Sequence, residues 1–121
     1  MSELKYKTIK LVNLTPHTIN IVGDQKDDGD YECIVSLSSK GIARCKTYRH
    51  QIDEVNGIPL NSVYFGDLHG LPQSKDMTYY IVSNIVAQAA KTLKRKDCLI
   101  PDDTVRNEKG QVVGCRGLAV V

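Results

Sequence analysis

Polar and apolar residues alternate along several short segments of this chain, which is the pattern of a β-strand that buries one face. Two such segments, 7–13 and 17–22, flank a turn at Pro16, and two more cover residues 31–37 and 42–50. Between the two pairs runs an acidic stretch that contains glycine, which is typical of a loop. We expect each pair to form neighbouring strands joined by a short turn.

Turn signals divide the middle of the chain into further strands. Asn56 and Gly57 predict a tight hairpin turn that leads into a strand ending at Phe65. Residues 66–72 contain two glycines and predict a loop, and residues 79–82 predict a buried strand.

The last quarter of the chain predicts a hairpin. Pro101 is expected to end a short strand over 98–100, and residues 108–110 are expected to form the turn between strands at Val105 and Val113. The final four residues are apolar. Their burial against the chain's own sheet and their burial against a second subunit are equally compatible with the sequence.

One helix is predicted, over about residues 83–95. Ser83 is a good N-cap, and apolar side chains then recur along one face at Ile85, Val86, Ala89, Ala90 and Leu93. The expected fold class is therefore α+β: a mostly antiparallel β-sheet with one main amphipathic helix and a C-terminal hairpin.

Length and charge limit the kinds of partner. The 121 residues predict a single domain, 1–121, and the net charge of +2 is unevenly spread. Residues 24–32 carry a net charge of −4, so the rest of the chain carries +6. Basic residues cluster within 40–49, 91–96 and 106–116, and a body of this sign attracts phosphate groups.

Several function classes lack the residues that they need. There is no G-x-G-x-x-G or Walker sequence for a nucleotide cofactor and no C-x-x-C pair for zinc. Asp67 and His69 share one strand face but are too few for a metal site, and His17 is expected in the core. We therefore predict no catalytic residues, no metal and no cofactor. No apolar run is long enough to span a membrane, so we expect a cytoplasmic protein.

The residues that favour binding are better defined. Ser83 and Asn84 begin the predicted helix directly after a buried strand, where free backbone amides can receive an anion. Arg106 and Arg116 lie on opposite arms of the last hairpin, where two guanidinium groups can hold a diphosphate.

Other candidate ligand-binding residues would contact the rest of a nucleotide. Phe65 and Tyr80 offer planar surfaces for a purine, and Asp102 can accept hydrogen bonds from ribose hydroxyls. His69 completes the predicted set.

The chain also resembles a family of small phage proteins, the first Thoeris anti-defence family. The resemblance is carried by the order and spacing of residues 11–21, 70–72, 80–83, 100–106 and 113–118. It implies a protein that sequesters glyco-cyclic ADP-ribose, the signal made by bacterial TIR-domain proteins, without cleaving it. It also implies a homo-oligomer, either a dimer or a trimer of dimers, with pockets at subunit interfaces. Some members of that family hold cyclic oligonucleotides at a separate site.

Two other functions fit the same basic and aromatic residues. A nucleotide phosphoesterase would turn the ligand over, and a single-stranded nucleic-acid-binding protein would show a steep dependence on salt. Because the aromatic-rich sheet signatures of common RNA-binding modules are missing, a nucleic-acid polymer is not the expected partner.

Overall fold

The computed structural model describes residues 9–121, most of which lie in β-strands. Residues 7 and 8, with which the first strand was expected to begin, lie outside this range. The elements in chain order are β1 (Lys10–Asn13), β2 (Ile19–Gln25), β3 (Tyr31–Leu37), β4 (Arg44–Val55), β5 (Ile58–His69), β6 (Thr78–Ile81), α1 (Asn84–Thr92), β7 (Cys98–Arg106) and β8 (Val112–Ala119).

The strands form a six-stranded sheet and a separate two-stranded ribbon. The order in the larger sheet is β1-β6-β7-β8-β2-β3. Its pairs β1·β6, β6·β7 and β2·β8 are parallel, whereas β7·β8 and β2·β3 are antiparallel hairpins. The expected α+β class with a mostly antiparallel sheet is therefore wrong: the fold is mostly β, and the larger sheet is mixed.

Two of the expected strand pairs do not form. β1 pairs with β6 instead of β2, and β3 and β4 belong to different sheets. Alternation shows that a segment is extended with one buried face, but it carries no information about which distant segment lies beside it. The short segments 14–18 and 38–43 therefore connect strands that are not paired with each other.

The two edges of the larger sheet nearly meet, and Asn13 joins them. This buried side chain donates hydrogen bonds to the carbonyls of His17 (2.7 Å) and Leu37 (2.9 Å). Its backbone forms a parallel bridge with Ser39, just beyond β3, and its carbonyl accepts from the Lys40 amide at 2.8 Å. His17 itself is exposed in the turn before β2, so the expected core position is wrong.

The helix is shorter than the predicted 83–95. Ser83 is the N-cap, as predicted, with its Oγ accepting from the Val86 amide at 3.3 Å. Lys94 adopts a left-handed backbone (φ 63°), while the Arg95 amide donates to the Ala90 carbonyl and the Lys94 amide to that of Lys91. This is a Schellman ending formed without glycine, which is why the sequence did not signal it.

Four strands run further than predicted. β2 ends at Gln25 instead of residue 22, and β4 ends at Val55 instead of residue 50. β5 continues through residues 66–69, where a loop was expected, and β7 continues through Pro101 instead of ending there. Proline is tolerated at irregular strand positions, and Asp103, two residues later, has a left-handed φ of 55°. The two hairpin turns are confirmed: Asn56 and Gly57 join β4 to β5, and residues 107–111 join β7 to β8.

The core lies where α1 covers the larger sheet. Its main cluster is centred on the fully buried Val82 and on Val86, and a smaller one comprises Ile19, Ile81 and Cys115. At the C-terminus, Leu118 packs against the smaller cluster and Val121 against the main one, but Val120 is 75% exposed.

Among residues 9–121, no helix is both long and apolar enough to cross a membrane.

Candidate ligand-binding groove

Two hairpin turns face each other across an open groove. One is the β2–β3 turn, and the other is the β7–β8 turn. The groove consists of two adjoining depressions of about 340 and 540 Å³, which share Gly29, Asp30 and Asn107 in their lining.

The β7–β8 turn is fixed by its own side chains. Asn107 Oδ1 accepts from the amides of Lys109 (2.9 Å) and Gln111 (3.0 Å), and its Nδ2 donates to Gln111 Oε1 at 3.0 Å. Gly110 provides the left-handed position, with φ 79°. The short polar side chain and the glycine together explain why these residues turn here.

The facing β2–β3 turn is held in a similar way. Asp28 Oδ1 accepts from the Asp30 amide at 2.9 Å, and the Lys26 amide donates to the Asp30 carbonyl at 2.6 Å. Gln25 Nε2 adds a hydrogen bond to the Gly29 carbonyl at 2.8 Å. Each wall of the groove is therefore ordered before any ligand arrives.

Charges of both signs line the groove. The cations are Lys26, Arg106 and Lys109, and the carboxylates are Asp28, Asp30 and Glu108. Since the one ion pair formed within residues 9–121 joins Arg95 to Asp97, the groove side chains do not neutralise one another directly.

Arg106 and Arg116 have different surroundings. Arg106 Nη1 donates to the Gly110 carbonyl at 2.7 Å, whereas the Arg116 guanidinium lies 5.6 Å from the centre of the Tyr31 ring. Arg106 is opposite Val112, four positions before Arg116, which is about 13 Å along an extended strand. One chain thus places the two arginines on the same hairpin but not side by side.

Ser83 and Asn84 lie at the other candidate position, the beginning of α1. Asn84 Oδ1 accepts from Gln88 Nε2 at 3.1 Å, and both Ser83 and Asn84 are exposed. The Val82 amide donates to the Leu99 carbonyl, so the helix begins beside β7, in which Asp102 is exposed three residues further on.

The remaining predicted residues lie elsewhere. Phe65 is half-buried in a depression of about 270 Å³ between β5 and α1, and His69 is exposed opposite Arg44 at the end of the ribbon. Tyr80 is only 2% exposed, and its hydroxyl donates to the Gln73 carbonyl at 3.4 Å. Its ring has no free face on which a base could stack.

Within one chain the predicted residues therefore lie in four separate places outside the core, namely the last hairpin, the beginning of α1, the depression at Phe65 and the end of the ribbon, while Tyr80 lies in the core. Sequence reasoning also missed three groove residues, Lys26, Tyr31 and Asn107. The acidic stretch and the final hairpin were both recognised as turns, but nothing local to either one indicates that they face each other.

The pKa values of the two buried cysteine thiols determine whether these groups can act as nucleophiles. Burial raises the pKa of the Cys98 thiol to about 11, with the neighbouring Asp97 carboxylate acting in the same direction. Burial also raises the pKa of Cys115. Both thiols are therefore protonated near neutral pH and are poor nucleophiles.

No group of three or more histidine, cysteine, aspartate or glutamate side chains is arranged to hold a metal ion within residues 9–121.

Fold and groove together define a small, mostly-β protein with a nearly closed mixed sheet, a projecting two-stranded ribbon and a polar groove between two turns. No protein-family model matches the chain, and no curated protein or solved structure does so either.

Proposed function

We propose that this chain is a nucleotide-binding domain, 1–121, that captures glyco-cyclic ADP-ribose and withholds it from a TIR-based defence without cleaving it. It acts in the cytoplasm of the host cell as a homo-oligomer, a dimer or a trimer of dimers, and it needs no metal or cofactor. The proposal combines the sequence resemblance with the polar surfaces of the structure.

The observation that carries the proposal is the cation–π contact between Arg116 and Tyr31. The ring restricts the guanidinium, so less side-chain entropy is lost when it binds a phosphate. Arg116 donates no hydrogen bond within residues 9–121, which leaves its N–H groups open to a ligand. Arg106, on the same hairpin, keeps N–H groups beyond the one used on Gly110.

One chain lacks an enclosed ligand-binding site, and we propose that assembly of subunits completes it. A protein that sequesters a signal in competition with its receptor needs nanomolar affinity, about −12 kcal/mol, which an open polar groove does not provide. The arginine hairpin, the start of α1 and the depression at Phe65 lie apart in one chain. We propose that a second subunit brings one of these surfaces against another and encloses the ligand.

Capture without turnover differs from the two alternative functions in what is released and in its dependence on salt. A phosphoesterase would return a hydrolysed product, and a single-strand binder would lose affinity steeply with salt. A sequestering protein releases the ligand unchanged.

Titration of the purified protein with glyco-cyclic ADP-ribose tests the proposal. We expect Arg106→Ala and Arg116→Ala each to weaken binding by about 30-fold to several thousand-fold, because phosphate charge is left uncompensated. Arg116→Lys should also weaken binding, since lysine keeps the charge but loses the planar fork.

Lys91→Ala, which removes an exposed cation from the last turn of α1, is the matched control and should change affinity less than about threefold. If both arginine variants stay within the same range as this control while remaining folded, the hairpin does not bind the ligand.

A further inference from the structure

Most of the β4–β5 ribbon has no other element of the described chain packed against it. Its two strands of 12 residues pair only with each other, and almost every residue from 48 to 64 is exposed. Only its base is anchored, where Cys45 and Leu68 pack against the main core. An isolated two-stranded hairpin is marginally stable in water, so a ribbon this long needs cover on at least one face.

One face of the outer ribbon carries most of its large apolar side chains. Cross-strand partners share a face, and side chains two positions apart along one strand do so as well. Along β5 the register runs without a bulge from 58 to 65. It places five large apolar side chains on one face, at 45–66% exposure: Tyr48, Val55, Ile58, Leu60 and Tyr64. The same face also carries three polar side chains, namely His50, its partner Ser62, and Asp53 opposite Leu60.

The opposite face is more polar. It carries the pairs Arg49 with Val63, Gln51 with Asn61 and Glu54 with Pro59. Ile52 is the extra residue of a β-bulge in β4, between Gln51 and Asp53, and is 60% exposed. The ribbon is thus amphipathic, although nothing within residues 9–121 packs on the apolar side of its outer half.

The apolar face is large enough for an interface. The exposed parts of its five side chains amount to roughly 600 Å², most of the about 800 Å² that each partner contributes to a stable protein–protein contact. The largest apolar patch on a soluble monomer is typically about 300–600 Å² and is often functional.

Charge along the ribbon identifies the partner. The base carries the cations Arg44 and Lys46, with Asp67 as its one carboxylate, whereas the region near the tip carries Asp53 and Glu54. Arg49 lies midway between them, on the opposite face. The ribbon therefore changes from a net charge of +1 at its base to −2 near its tip. Two identical ribbons that run in opposite directions match base to tip at both ends, as a two-fold axis requires.

We propose that the apolar face of this ribbon packs against the same face of a second copy of the chain, antiparallel, with each acidic tip on the other's basic base. This interface does not depend on the ligand, so it can hold even if the proposed nucleotide binding fails.

Sedimentation equilibrium of the full chain without ligand tests the contact. Leu60→Glu buries a carboxylate in the interface and should raise the dimer dissociation constant at least about 30-fold. Asn61→Glu places the same group on the opposite face and should change it less than about threefold. A wild-type chain that is monomeric at micromolar concentration, or equal effects of the two substitutions, would overturn the proposal.

Charge reversal tests the antiparallel arrangement with changes confined to exposed or half-buried polar positions. D53K with E54K should weaken the dimer, and so should R44E with K46E, both more strongly at low salt. All four changes in one chain should restore association to within about threefold of wild type, because tip and base again attract. Failure of the combined variant to recover would show that the tip does not meet the base of a second copy.

Discussion

Asp97 is the one charged side chain that residues 9–121 bury. Its carboxylate accepts from Arg95 Nε at 2.9 Å and from Nη2 at 2.8 Å, and the same Nη2 donates to the Pro72 carbonyl at 2.9 Å. The Arg95 hydrogen bonds hold the pKa of Asp97 below its ordinary value, against the opposing effect of burial. This pair ties the segment before β6 to the segment that follows α1.

We predict that Asp97→Asn lowers the free energy of unfolding by about 2 kcal/mol at pH 7, since a bidentate, partly buried ion pair is lost. A carboxylate whose pKa is lowered by folding stabilises the protein above its unfolded pKa of about 4, and this contribution disappears as the pH falls through the folded pKa.

The wild type should therefore lose its advantage over Asp97→Asn progressively as the pH falls below about 4, as measured by urea unfolding at a series of acid pH values. Asp76→Asn, an exposed change in the same region, is the control and should have little effect. An advantage that stays constant down to pH 2 would show that the ion pair is not its source.

At the scale of elements, glycines with left-handed backbones differ in what surrounds them. Gly70 (φ 82°) ends the ribbon, and Gly110 (φ 79°) lies in the β7–β8 turn. A Cβ at Gly70 would collide with the Ile42 carbonyl oxygen, whereas one at Gly110 would meet open space. Gly70 thus allows the end of β5 to approach the backbone that leads into β4.

Gly70→Ala is expected to cost about 3 kcal/mol or more, because backbone strain adds to a clash with another backbone segment. Gly110→Ala carries the strain alone and should cost about 1 kcal/mol. Urea unfolding of both variants measures the difference, and equal losses would mean that the base of the ribbon moves to accept the methyl group.

Local signals explain which elements were predictable. Asn56-Gly57 and residues 107–111 fix their hairpins because glycine and asparagine favour the backbone that each turn needs. The N-cap at Ser83 is local in the same sense. The end of α1 was not predictable, since Lys94 adopts a left-handed backbone conformation that glycine usually adopts at this position.

Long-range pairing explains what could not be predicted. The parallel register of Leu11 with Tyr79 joins segments far apart in the chain, and alternation within either one does not specify the other. The same limit applies to the candidate site. Arg106 and Arg116 were correctly placed on one hairpin, but the contact of Arg116 with the Tyr31 ring depends on how β2 and β3 lie beside β8.

At the scale of the whole molecule, the nearly closed sheet and the ribbon are anchored very differently. The sheet encloses its own core and is joined at its edges by Asn13, while the ribbon leaves an apolar face uncovered. Such a division suits a protein whose larger sheet folds as a unit and whose ribbon gains stability from assembly.

Capture of an intact nucleotide is tested most directly by mass spectrometry of what the protein releases. The protein would be purified from cells that contain an active TIR-domain synthase and then denatured by heat. We predict release of unmodified glyco-cyclic ADP-ribose at close to one molecule per site. Release of a hydrolysed product, or of no nucleotide from a protein that is folded when isolated, would contradict the proposed function.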